Sequence, residues 1–162
     1  MNVTIMRQVK FCAGHRLVGH EGKCAYLHGH NYLAQLYVTG GEFDEVGRVV
    51  DFSVINRLFK GWIDQNWDHG VLVWDEDIEL LAALNQLQPS KIYQMPYSPT
   101  AENIAKYLLT EVGPGLVDQI EGYDVQLTKV VVWETENACA ELSVGEPAHT
   151  TNSRLPSGHA EA

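Results

Sequence analysis

Two stretches of apolar alternation, separated by a glycine-bearing loop, most restrict what this chain can become. Val3, Ile5, Val9, Phe11 and Ala13 share one phase of a period-2 pattern that Arg7 interrupts; Tyr32, Ala34, Leu36 and Val38 share one phase of another. Successive side chains on a strand point to opposite faces, so each run offers one face to a core and the other outward. Residues 3–13 and 28–39 therefore read as strands, with 14–27 as the loop between them and Gly40-Gly41 ending the second.

The pattern then changes period. Asp51 is a capping residue ahead of the stripe Phe52, Ile55, Leu58, Phe59 and Trp62, which gives a helix over about 52–66. Ile78 to Leu87 reads as a shorter helix. Pro99-Thr100 opens a third, with Ala101, Ile104, Ala105, Leu108 and Val112 as its stripe and Gly113-Pro114-Gly115 as its stop. Tyr123 to Glu134 and Ala138 to Leu142 read as two more strands around a turn at 135–137. Beyond Gly145 no period survives, so the reading is one domain over 1–145 and a flexible tail over 146–162. This order is an α+β plan: one four-stranded antiparallel sheet with helices on one face. Its two open edges invite pairing between subunits.

Composition narrows the function classes. A chain of 162 residues has room for one substantial core. Lys and Arg number 11 against 21 Asp and Glu, and the net charge of -10 argues against general binding of nucleic acid or anionic membranes. There is no apolar run of membrane-spanning length, and the N-terminal residues lack the apolar block of a signal peptide. Three cysteines cannot build a disulfide framework, which fits reduced thiols in a cytoplasmic protein.

Histidine supplies the chemistry. His28 and His30 are two apart at the start of the second strand, on the apolar phase of Tyr32 and Ala34. His15 lies on the phase of Phe11 and Ala13. If the two strands form a hairpin, three imidazoles meet at one end of the buried side, a common catalytic zinc set that leaves a fourth position open. Gly29 between two of them lets the backbone approach closely. A lone histidine on an apolar face is more often a packed residue, but three on one face favour a metal site. His20 in the loop is a solvated residue or a reserve ligand, and His149 and His159 in the tail are solvated. Cys24, beside Lys23 in the loop over the site, is a zinc ligand, a small packed residue or a reactive thiol. Cys12, on the opposite strand phase from His15, reads as packing, and Cys139 is given no chemistry. By itself Asp68-His69 reads as a solvated turn and Glu134 as an exposed charge at a strand end. Thr100 and Asn103 read as helix-capping groups.

The run Phe11-Cys12-Ala13-Gly14-His15-Arg16-Leu17, then Gly22-Lys23-Cys24, then Leu27-His28-Gly29-His30-Asn31-Tyr32 resembles the family of 6-pyruvoyl- and 6-carboxy-tetrahydropterin synthases. Val50-Asp51-Phe52-Ser53, Asp68-His69, Pro99-Thr100-Ala101-Glu102-Asn103 and Trp133-Glu134-Thr135 agree in order and spacing, so the resemblance covers about residues 3–143. It implies the tunnelling fold, in which three subunits close their sheets into a barrel and two such rings stack into a hexamer, with sites between subunits. It also implies zinc held by His15, His28 and His30, with Cys24 as the catalytic thiol. Asp68 and His69 would face that thiol from a neighbouring subunit. Glu134 would grip the pterin ring, with Thr100 and Glu102 in support. The implied substrate is 7,8-dihydroneopterin triphosphate, for whose phosphates Lys23 and Arg16 are candidate cations.

Only Ala25-Tyr26-Leu27 separates Cys24 from His28, whereas the pyruvoyl branch usually carries a longer insert there. The short spacing resembles the bacterial 6-carboxy branch, which serves 7-deazaguanine (queuosine precursor) biosynthesis and releases acetaldehyde and triphosphate. The alternative is the pyruvoyl synthase, which eliminates triphosphate without losing carbon. A third reading, a non-catalytic zinc-stabilised pterin-binding protein, would not need Cys24, Asp68, His69 and Glu134 together. Gly14 and Trp67 depart from the family's usual Ala or Ser and Leu. Residues 70–95 are longer and more acidic than a compact member needs.

Overall fold

The computed structural model describes residues 2–144, so the tail expected at 146–162, with His149 and His159, lies outside the described residues. Strands β1 (Val3–His15) and β2 (His28–Gly40) form the expected hairpin, in unbroken antiparallel register from Val3 opposite Gly40 to His15 opposite His28. β1 runs two residues further than alternation alone marked, because Gly14 and His15 still pair across to Gly29 and His28. β5 (Val125–Thr135) pairs with β2, and β6 (Ala138–Ser143) with β5, both antiparallel. Register shifts at Tyr37/Val38 and at Trp133/Thr135 bend these ladders.

The apolar phase of this sheet is the core face. Val9, Phe11, Ala13, Tyr32, Ala34, Leu36, Val38, Leu127, Val130 and Val132 are all buried there. Helix α1 (Phe52–Asn66) covers it with Ile55, Leu58, Phe59 and Ile63, and its first turn is capped by Asp51, whose carboxylate accepts the Ser53 N–H at 2.7 Å. Phe52, counted in the apolar stripe, instead stays half exposed at the helix start. α3 (Ala101–Tyr107) lies over β5 and β6 and starts as expected at Thr100, whose hydroxyl accepts the Asn103 N–H.

Three expectations need correction. Among the described residues the sheet has six strands and is mixed, in the order β4-β3-β1-β2-β5-β6. The two additional strands, β3 (Gly70–Trp74) and β4 (Ile92–Met95), run parallel to each other, and β3 runs parallel to the end of β1. β3 is a short apolar run without alternation and β4 is only four residues long, so period gave no signal. They account for the long 70–95 segment: helix α2 (Ile78–Leu84) forms the crossover, and Leu80 and Leu84 pack with Val73 in a small separate core. α2 also ends three residues earlier than its apolar run. Lastly, Gly113-Pro114-Gly115 does not stop the third helix. The chain passes through one π turn at Leu108–Val112 and continues as α4 (Gly113–Val117). Gly113 keeps right-handed helical angles, and a Cβ there would collide with Leu127 Cδ2 and the Leu108 carbonyl oxygen. The glycine serves close packing against β5. Pro114 sits in the first turn of α4, where a missing N–H costs least.

No helix among the described residues is long and apolar enough to cross a membrane.

Candidate metal centre and adjoining cavity

The β1–β2 register sets His15 directly opposite His28, with His30 one pleat along on the same face. Ring centroids are 4.6 Å apart for His15 and His28, 4.9 Å for His28 and His30, and 5.2 Å for His15 and His30. One nitrogen from each ring lies within 4.8 Å of the other two. Gly29 favours this close approach: a Cβ there would stand 3.1 Å from the Ala13 carbonyl oxygen, and the strands would have to part by a few tenths of an ångström.

Two rings have their protons assigned by neighbours. His15 Nδ1 lies 2.7 Å from the Pro99 carbonyl, and His28 Nδ1 lies 2.7 Å from the Tyr26 carbonyl. A carbonyl only accepts, so each Nδ1 is the donor and each Nε2 is left with a lone pair. His15 is buried, and burial lowers its pKa despite the opposing bond to Pro99 and the charge of Glu134. His30 Nε2 is buried without a hydrogen-bond partner; the nearest carboxylate oxygen, Glu134 Oε1, is 3.5 Å away. Three imidazoles, two with fixed tautomers and one with an orphaned inward nitrogen, fit a zinc-type ion. The Tyr32 hydroxyl, 3.2 Å from His15 Nδ1, borders the cluster, and burial raises its pKa well above the ordinary phenol value. Sequence reasoning counted Tyr32 as apolar filling, although its place two residues beyond His30 on the same phase marked it as a neighbour.

Cys24 sits in a single 3₁₀ turn, Lys23–Ala25, pinned where its carbonyl accepts the Leu17 N–H at 2.8 Å. It does not join the three-imidazole group. It lines a cavity of about 370 Å³ together with Thr100, Glu102 and Glu134, and Glu134 links that cavity to His30. Four expected site residues thus converge. His20, read from the sequence as a solvated residue or a reserve ligand, and Cys139, given no chemistry, line the same cavity. The His20 ring accepts the Gly22 N–H at 2.8 Å, which stiffens the loop.

Other expected residues stand elsewhere. Lys23 is exposed in the 3₁₀ turn. Arg16 is not a free cation: its guanidinium makes two bonds to Asp77, at 2.7 and 2.6 Å, and one to Glu79 at 2.9 Å. The end of β1 delivers it to the start of α2, where Asp77 is the capping residue. Asp68 and His69 lie on the other face of the sheet and, within this chain, do not reach Cys24's cavity. Their geometry is nevertheless ordered. His69 Nδ1 is 2.8 Å from Asp68 Oδ2, and Asp68 Oδ1 accepts the Cys12 N–H at 2.8 Å. Partial burial pushes the Asp68 carboxyl up, but the bonds from Cys12 and His69 outweigh it and hold the group below the usual range. Cys12 is exposed beside this pair and is not a packing residue, because its strand phase faces away from the helices.

A sheet covered by helices on one face, with three imidazoles at the end of its central hairpin and a polar cavity beside them, defines an α+β protein with a centre suited to a metal ion and a small molecule. The sequence pattern described as 6-pyruvoyl tetrahydropterin synthase matches residues 4–144, and the chain belongs to that family. A 6-carboxy-5,6,7,8-tetrahydropterin synthase of Rickettsia bellii is 38% identical over 136 residues, covering 84% of this chain and 96% of the relative. The Rickettsia typhi protein of the same name is 39% identical over 137 residues, covering 84% and 96%. Among solved structures, an uncharacterized protein from Wolinella succinogenes superposes with a TM-score of 0.72 at 22% identity, covering 88% of this chain and 98% of that one. The 6-pyruvoyl tetrahydropterin synthase of Plasmodium vivax gives 0.64 at 17%, covering 88% and 97%. These neighbours establish the tunnelling fold expected from the sequence.

Proposed function

We propose that this protein is a 6-carboxy-5,6,7,8-tetrahydropterin synthase, a cytoplasmic carbon–carbon lyase that converts 7,8-dihydroneopterin triphosphate to 6-carboxytetrahydropterin, acetaldehyde and triphosphate. Its place is in 7-deazaguanine (queuosine precursor) biosynthesis. The observation that carries the reading is the convergence of Cys24, Thr100, Glu102 and Glu134 on one cavity bordering the three imidazoles. Relatives of that name match the chain over 96% of their own length, which supports the choice of branch.

His15, His28 and His30 would hold the ion. A zinc ion bound there supplies Lewis acidity toward side-chain oxygens of the substrate, making neighbouring C–H bonds more acidic. The remaining work falls to the chain. Glu134 accepts two parallel N–H bonds from the guanidine-like edge of the pterin, setting the ring in the cavity. Thr100 and Glu102 border it there, and Lys23 is the cation left for the phosphates now that Arg16 is engaged. Cys24, as thiolate, moves a proton at the substrate side chain. His69 of a neighbouring subunit returns one, its ring held by Asp68. Because Asp68 and His69 stand apart from Cys24 within one chain, this reading requires sites shared between subunits.

Incubation of purified, zinc-loaded protein with dihydroneopterin triphosphate, followed by mass spectrometry, tests the reading. Acetaldehyde and the 6-carboxy product are expected. A 6-pyruvoyl product that retains all side-chain carbons, with no acetaldehyde, would replace this reading with the pyruvoyl branch.

A further inference from the structure

The cavity beside the three imidazoles is polarised. Glu102, in the first turn of α3, and Glu134, near the end of β5, put two carboxylates into its lining. Cys24 and His20 line it from the loop between β1 and β2, and among the described residues His20 is the one side-chain nitrogen there. Arg16, at the start of the same loop, is held by Asp77 and Glu79. A ligand with an N–H edge at one end and phosphates at the other lies here in one sense, with the edge against the carboxylates and the anionic end toward the loop.

The loop fixes how His20 is offered. The Cys24 carbonyl accepts the Leu17 N–H at 2.8 Å, and the His20 N–H donates to the Leu17 carbonyl at 3.2 Å, closing a turn through Gly19 at a φ of 81°. The Gly22 N–H donates to His20 Nδ1 at 2.8 Å. A nitrogen that accepts carries no proton, so the neutral ring holds its proton on Nε2, and Nε2–H is the donor it can give to a ligand. Gly22 leaves the ring its place: a Cβ there would stand 3.2 Å from His20 Cε1 and displace the ring by a few tenths of an ångström.

We infer that His20 is a specificity-determining residue whose Nε2–H binds a phosphate oxygen of the substrate, so that the site prefers a triphosphorylated pterin over the same pterin without phosphates. On the proposed pterin reaction, which this assignment presupposes, Glu134 holds the ring, and Lys23, further along the same loop, is a second donor for the phosphates. In the shared site proposed for that reaction, the neighbouring subunit that brings His69 closes over the same cavity, and His20 has to face the ligand, not solvent. A hydrogen bond from a neutral donor to a charged oxygen changes an affinity by about 10- to 100-fold.

Oxidised neopterin and its triphosphate carry the pterin edge without and with the phosphates, and their own fluorescence reports binding to the full-length, zinc-loaded protein. The parent is expected to bind the triphosphate more tightly than neopterin. His20→Ala and His20→Asn are each expected to cut that margin by about 10- to 100-fold, with the Kd for neopterin held within about twofold and zinc content at the parental level. Asn places an oxygen where Nδ1 stands, which keeps the Gly22 N–H bonded, and reaches no further. His20→Gln, whose amide nitrogen reaches the place of Nε2, is expected to keep most of the margin. A margin that survives in His20→Asn, or equal weakening of both ligands, overturns the inference and leaves His20 as a loop-packing residue. A parent that binds both ligands equally overturns it and leaves the pterin reading standing. A parent that binds neither ends the pterin reading, and this assignment with it.

Discussion

At the scale of single residues, position on a strand decides chemistry. His15, His28 and His30 were legible because they share the buried phase of a hairpin, and hairpin register alone brings such residues together. His28→Ala removes one of three ligands and should lose most of the bound zinc together with activity. Equal metal content in mutant and parent, by elemental analysis, would refute the ligand set. Cys24 stands outside that group, so Cys24→Ala should keep zinc and melting temperature near parental while turnover falls about 10²–10⁴-fold. Loss of zinc and stability together in that mutant would instead make Cys24 a structural ligand. Cys12 was misread because the outward phase of a strand is neutral in sequence terms. Its neighbours there, Asp68 and His69, are more than fifty residues away, and no local pattern encodes that approach.

At the scale of elements, amphipathic period located β1, β2, α1, α3, β5 and β6, and capping chemistry fixed where α1 and α3 begin. It failed where a signal has two meanings. Gly113 reads as a stop, yet it is a close-packing glycine inside a continuing helix. Gly113→Ala should therefore destabilise by about 1–3 kcal/mol through overpacking against Leu127, measured by urea denaturation. A change within experimental error would return the glycine to its role as a breaker. Arg16 reads as a cation for phosphate, but it ties the end of β1 to the cap of α2. The Arg16 guanidinium beside Asp77 holds that carboxyl below the usual range, against the opposing effect of burial. A depressed folded pKa contributes stability that is full above the unfolded value of about 3.9 and is lost as pH falls through the folded value. Asp77→Asn should thus lower stability by about 1–3 kcal/mol at neutral pH, and the difference from the parent should shrink below about pH 4. A constant difference down to pH 3 would show that the ion pair contributes nothing.

At the scale of the whole molecule, the sheet presents β4 and β6 as unpaired edges among the described residues. Exposed edges seek partners, and Asp68–His69 cannot meet Cys24 within one chain. The protein should form a trimer-based assembly, most simply a hexamer of two stacked rings. Light scattering that finds an active monomer at micromolar concentration would end both this prediction and the shared-site mechanism. Sequence by itself determined the hairpin, the imidazole cluster, the principal helices and the family. Each of these rests on local period, on donor type, or on a motif of near neighbours, and such signals survive without knowledge of the fold. Only the tertiary structure decided that β3 and β4 extend the sheet, that α3 continues into α4, that Arg16 is spent on Asp77, and that Cys12 stands with Asp68 and His69. Those outcomes depend on contacts between segments tens of residues apart. Their pairing is chosen by the total burial and hydrogen bonding of the chain, and no single segment carries that information.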